Sequence, residues 1–133
     1  MKAEMITPCG MNCNVCKGVL DRAGKHYKCP GCKPRGEGCI HGKGLCEKLV
    51  NSQIGFCYEC ESFPCARLKR LDKRYRTRYH YGFIEALEFI RENGMKAHLA
   101  SEKNLWKCPE CGGTVCIHNG RCYSCQKIVR RVG

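Results

Sequence analysis

Fifteen cysteines in 133 residues constrain this chain more than any other feature. Cysteine at that density serves either disulfide pairing or metal ligation, and spacing separates the two. Cys13-Asn-Val-Cys16, Cys29-Pro-Gly-Cys32, Cys57-Tyr-Glu-Cys60, Cys108-Pro-Glu-Cys111 and Cys122-Tyr-Ser-Cys125 are all C-x-x-C segments. Such a turn aims two thiolates at one ion. The odd total prevents complete pairing within the chain. Residues 1 to 8 contain no apolar run of signal-peptide length, whereas disulfides belong to oxidising compartments. The expectation is a reduced, cytoplasmic metalloprotein. No stretch approaches the roughly 20 apolar residues of a membrane helix, so no membrane association is expected. Phe, Ile, Leu and Val are sparse, and a chain with a thin apolar core needs staples.

The charge must be read together with the cysteines. The formal net charge is +12. Three four-thiolate zinc sites would add about −12 and about +6, leaving roughly +6. A basic excess survives, part of which balances the metal sites.

Cysteine placement divides the chain into three regions. Residues 1–65 carry ten cysteines among glycines and lysines, which predicts loops wrapped around metal. Residues 66–104 carry none and read as helices. Leu68, Leu71, Tyr75 and Tyr79 recur at helical spacing, which predicts a helix over about 65–80. Gly82 breaks the pattern. Phe83, Ile84, Leu87 and Ile90 then share one face of a second helix over about 83–93, with Gly94 as its C-terminal cap. A short third helix, from about Met95 to Lys103, leads to Trp106. The expected fold class is a small metal-stabilised α+β protein, with a cysteine-rich metal-binding unit over 1–104 and a zinc ribbon over 105–133.

The ribbon is the sharpest motif. Cys108, Cys111, Cys122 and Cys125 form two knuckles ten residues apart, enough for one tetrahedral site. Thr114 to His118 reads as a strand between them, and Asn119-Gly120 as a hairpin turn. Cys116 and His118 read as bystanders, because four thiolates already close the site. In the N-terminal region Cys9, Cys13, Cys16, Cys29, Cys32, Cys39, Cys46, Cys57, Cys60 and Cys65 are candidate ligands. Two four-cysteine sites leave two thiols spare. Three sites would need His26 and His41 as well. The expected cofactor is zinc, about three ions in all. An iron–sulfur cluster in the N-terminal region stays open as the alternative. Cys9-x3-Cys13-x2-Cys16 has the spacing of radical S-adenosylmethionine enzymes, but those need a large barrel that this chain is too short to build.

These motifs together resemble an uncharacterised family of cysteine-rich zinc-binding proteins from archaea and anaerobic bacteria, catalogued as a domain of unknown function. The resemblance rests on Cys9-Gly-Met-Asn-Cys13-Asn-Val-Cys16, Cys29-Pro-Gly-Cys32-Lys33, Cys39, Cys46 and Cys57-Tyr-Glu-Cys60-Glu-Ser-Phe-Pro-Cys65-Ala-Arg-Leu68. Trp106-Lys-Cys108-Pro-Glu-Cys111-Gly-Gly resembles its longer members. It implies metal binding and no particular activity.

Seven of the twelve residues from 67 to 78 are Lys or Arg, against one acid, Asp72. Arg67, Lys69, Arg70, Lys73, Arg74 and Arg78 are therefore candidate nucleic-acid contacts, with Tyr75, Tyr79 and Tyr81 available for stacking. Arg121, Lys127 and Arg130 of the ribbon join them. The bland reading is a solvated basic face with tyrosines in the core, and Tyr75 falls on the apolar stripe. The functional expectation is a non-enzymatic binding module for RNA or a ribonucleoprotein. The alternatives are a protein-interaction adaptor within a larger complex and a thiol or iron–sulfur redox protein. Neither H-E-x-x-H nor a zinc-deaminase motif is present, and no catalytic constellation emerges.

Overall fold

The computed structural model describes residues 1–20 and 54–132. Cys29, Cys32, Cys39, Cys46, His26 and His41 lie outside the described residues. Four α-helices are described: α1 (Lys17–Leu20), α2 (Ala66–Tyr79), α3 (Phe83–Asn93) and α4 (Met95–Leu105). Short 3-10 turns cover Ala3–Met5, Cys13–Val15 and Cys57–Glu59. The described part is mostly helical. Its β component is confined to four isolated antiparallel bridges.

Helix α2 begins where Cys65 caps it. The thiol accepts the Leu68 N–H at 3.5 Å. The helix ends at His80, which is left-handed with φ 57°, so the break comes two residues before Gly82. Gly82 instead opens α3, and a distant side chain completes that start. Buried Asp72 of α2 accepts the Ile84 N–H at 3.0 Å and the Arg76 Nε–H at 2.7 Å. One carboxylate thus satisfies a free donor at the start of α3 and fixes how α2 and α3 pack. Gly94 turns the chain from α3 into α4 at φ 89°, a conformation that costs glycine least.

One core joins all parts of the described chain. Leu68, Phe83 and Leu87 from the helices pack with Met5, Val15, Trp106, Val115 and Ile117. Gly10 allows the N-terminal loop to reach α3, since a Cβ there would lie 2.9 Å from the Phe83 carbonyl oxygen. A buried polar cluster ties the ends together. Glu102 Oε1 accepts from Asn12 Nδ2 at 3.1 Å, Tyr81 Oη at 2.8 Å and Trp106 Nε1 at 3.3 Å. Among the described residues, no helix is long and apolar enough to cross a membrane.

Candidate metal centre

Past Trp106 the chain makes two turns of the same design. In the first, Cys108 N–H donates to the Gly113 carbonyl and Gly112 N–H to the Cys108 carbonyl, with Gly112 at φ 78°. In the second, Cys122 N–H donates to the Lys127 carbonyl and Gln126 N–H to the Cys122 carbonyl, with Gln126 at φ 67°. Two residues into each turn a backbone N–H points at the leading sulfur. Glu110 donates to Cys108 Sγ at 3.4 Å, and Ser124 to Cys122 Sγ at 3.3 Å. Gly113 donates to Cys111 Sγ at 3.4 Å. Such donors favour thiolate over thiol.

The two turns face each other. The Val115–Cys122 bridge and the Asn119-Gly120 reversal hold them in register. Asn119 Oδ1 accepts the Arg121 N–H at 2.9 Å, and Gly120 is left-handed, where a Cβ would collide with the Arg130 carbonyl. The strand expected over Thr114 to His118 is shorter than the periodicity suggests. Bridging stops after Val115, the chain turns over residues 117–119, and Ile117 N–H leaves this segment to donate to the Val15 carbonyl. Packing against the N-terminal loop outcompetes a longer ladder.

The four sulfurs of Cys108, Cys111, Cys122 and Cys125 all lie within 4.8 Å of one another. Cys111 and Cys122 are 3.5 Å apart, and Cys108 and Cys125 are 3.9 Å apart. A tetrahedron with metal–sulfur bonds of about 2.3 Å has edges of about 3.8 Å, so this spacing suits one ion. Cys108 and Cys122 are buried, whereas Cys111 faces solvent. The N–H groups of Cys125 and Ser124, with the Cys111 and Cys108 thiols, outweigh burial and lower Cys122 to about 6. At Cys111 the Gly113 N–H favours the thiolate. Hydrogen bonding to Cys122, burial, and contacts with Cys125 and Cys108 win, raising it to about 11. One thiolate sharing its neighbours' protons is the protonated counterpart of a metal site, in which the ion takes the protons' place. Cys116 and His118 stand outside this quartet.

The six described N-terminal cysteines come from three turns and the N-cap of α2. Thr7 Oγ1 accepts the Met11 N–H at 2.9 Å and shares a hydrogen bond of 3.1 Å with Cys9 Sγ. Cys57 N–H donates to the Pro8 carbonyl at 2.9 Å, which sets the Cys57–Cys60 turn beside Cys9. Cys9, Cys13 and Cys57 are buried in the common core, with Cys16 and Cys65 packed against it.

The basic residues divide by what they touch. Lys69, Arg70, Lys73, Arg74 and Arg78 are exposed on α2, with no acidic partner among the described residues. Arg67 is half-buried, and its Nη2 has no hydrogen-bond partner among the described residues. Lys127 pairs with Glu110 at 3.2 Å. Arg121 is exposed. Arg130 lies over the Trp106 ring, 4.3 Å from its centroid, and burial lowers its pKa despite nearby Glu102. Tyr81 is buried on Glu102 and Tyr75 is half-buried on His118.

No family model, curated protein or solved structure matches this chain. The family resemblance rests on the sequence motifs, and the structure adds a cysteine quartet able to hold a metal.

Proposed function

We propose that the quartet is the structural site of a zinc ribbon, and that the chain is a non-enzymatic module that binds RNA or a ribonucleoprotein. The convergence of four thiols at single-ion spacing carries the metal reading. Soft tetrahedral sulfur ligands suit zinc, and a cluster of several irons would need the thiols to stand further apart. Four protein ligands leave no open position for a catalytic water. Further centres among the N-terminal cysteines stay part of the proposal: the Cys57–Pro8 bond sets two of their turns side by side, but among the described residues only the quartet gathers its sulfurs around one point.

The exposed cations of α2 support the RNA reading. Lys69 and Lys73, and Arg70 and Arg74, are like-charge pairs at i, i+4 without a neutralising partner among the described residues. Each costs a few tenths of a kcal/mol in an isolated helix. An anionic partner removes that cost. Changing Lys69, Arg70, Lys73 and Arg74 to Gln tests it by fluorescence anisotropy on a labelled single-stranded RNA. The log–log salt dependence of binding should flatten by about 3, at roughly 0.7 for each phosphate no longer neutralised. Metal content should not change. Unchanged RNA affinity, or no RNA binding by the parent protein, would contradict the reading and favour a protein-interaction adaptor. Loss of metal would show that the charges serve the cysteine sites.

A further inference from the structure

Helices α3 and α4 and the connection before them line a cavity of about 290 Å³ that plays no part in the quartet. Ligand pockets run upward from about 300 Å³, so this one has room for a single flat ring system rather than a larger ligand. None of the residues lining it is Lys or Arg, although the chain carries a formal net charge of +12. Glu85 and Glu102 bring carboxylates to it, Ser101 a hydroxyl, and His80 and His98 imidazoles. Such a lining repels phosphate and favours a ligand rich in N–H donors. Arg76 pairs with Glu85 at 3.9 Å, which leaves Glu102 as the carboxylate for a ligand.

Two of these groups have unused hydrogen-bonding capacity. His98 is 3% exposed, and its Nε2 has no partner among the described residues. A buried polar atom without a partner costs free energy, and a ligand that pairs with it removes the cost. Burial, against the pull of Glu102, lowers the His98 pKa. The ring is therefore neutral at pH 7, and Nε2 presents either a hydrogen or a lone pair. The bonds that Glu102 receives from Asn12, Tyr81 and Trp106 all fall on Oε1. They fix the carboxylate and leave the lone pairs of Oε2 for a ligand. The Phe89 ring stands 6.0 Å from the His98 ring and is partly exposed, so it offers an apolar face at the cavity's edge.

The cavity lies at the end of the basic face of α2. Arg70, Arg74 and Arg78 are exposed and stand at i, i+4 spacing, a row that rises about 12 Å along the helix. His80 follows two residues after Arg78 and lines the cavity. We propose that the cavity takes an unpaired guanine from a single-stranded RNA whose phosphates follow the Arg70, Arg74 and Arg78 row. The site presupposes the RNA binding proposed above. Sequence-specific readers of single-stranded RNA splay bases out, stack them on aromatic rings and hydrogen-bond their edges. Guanine alone among the four bases offers two adjacent donors, N1–H and the 2-amino group, which suit a carboxylate. Glu102 Oε2 accepts there, His98 Nε2–H donates to O6 or N7 of the base, and Phe89 packs on its ring.

Fluorescence anisotropy on the full zinc-loaded chain tests the site, with a labelled oligouridine and the same strand carrying one central guanosine. The parent should bind the guanosine strand about tenfold more tightly, with one salt dependence for both strands. Glu102→Gln keeps an oxygen for Asn12, Tyr81 and Trp106 but turns an N–H donor toward the base. His98→Phe removes Nε2. Both variants should bind the two strands equally, with parental affinity for oligouridine. Phe89→Ala, at a partly exposed position, should lose part of the preference and none of the metal. Parental preference in Glu102→Gln or His98→Phe, or no preference in the parent, would overturn the guanine site. Oligouridine binding with its salt dependence intact would then leave the RNA reading standing. A parent that binds neither strand overturns both.

Discussion

Glu102 gives the sharpest test of how the chain holds together. Its carboxylate is 4% exposed, and one oxygen receives donors from the N-terminal loop, the α2–α3 connection and Trp106, which precedes the cysteine quartet. Glu102→Ala leaves the Asn12 amide, the Tyr81 hydroxyl and the Trp106 indole without this acceptor. At about 1–2 kcal/mol for each buried group left unsatisfied, the loss is on the order of 3–6 kcal/mol. Whole domains have only about 5–15 kcal/mol of stability, so this would be a large fraction. Glu102→Gln keeps a carbonyl oxygen in the same place and sheds a buried charge, so it should cost about 1–2 kcal/mol. Urea unfolding of both variants with zinc present measures the difference. A Glu102→Ala cost below about 1 kcal/mol, or equal costs for Ala and Gln, would refute the role assigned to the three converging donors.

His98 is buried beside Phe89 and Glu102, its Nε2 has no partner among the described residues, and burial lowers its pKa. The unfolded chain therefore binds the His98 proton more readily, and this residue's contribution to stability falls as pH drops below about 6.5. His98→Met should flatten the stability profile, read by urea midpoints, on the acid side of about pH 6.5. Gly112→Ala should cost about 1 kcal/mol by thermal unfolding, since φ 78° penalises a Cβ. Gln126→Gly at the equivalent position of the second turn should be neutral or stabilising by up to about 1 kcal/mol.

Local patterns are legible in the sequence and long-range partners are not. The recurrence of Leu68, Leu71, Tyr75 and Tyr79 places α2 within about a residue at each end, because one buried stripe dictates a helix. The knuckle spacing identifies the quartet for a similar reason: two tight turns leave thiols few other places to go. Gly82 reads as the break of α2, yet His80 ends that helix and Gly82 starts α3, since Asp72 supplies the acceptor for the Ile84 N–H that no local residue provides. Glu102 reads as an ordinary helical acid. Its role depends on Asn12, ninety positions away. His118 stands apart from the quartet, as the knuckle spacing implies, but its bond to Lys17 spans 101 positions, and no spacing rule reaches that far. The strand expected up to His118 fails for the same reason, because Ile117 pairs with Val15.

Metal stoichiometry in the presence and absence of one quartet thiol tests the central claim most directly. Native mass spectrometry on anaerobically purified parent and Cys122→Ser, with a visible spectrum of each, gives the answer. Cys122 is fully buried between the two turns, and its sulfur faces Cys111 at 3.5 Å, so serine in its place removes one corner of the tetrahedron. A structural zinc site contributes on the order of 10 kcal/mol of folding free energy, so the loss of that corner should release the ion. The account predicts a colourless parent and a variant carrying one zinc ion fewer. Equal metal content in the two proteins, or a coloured iron-bearing parent, would contradict it.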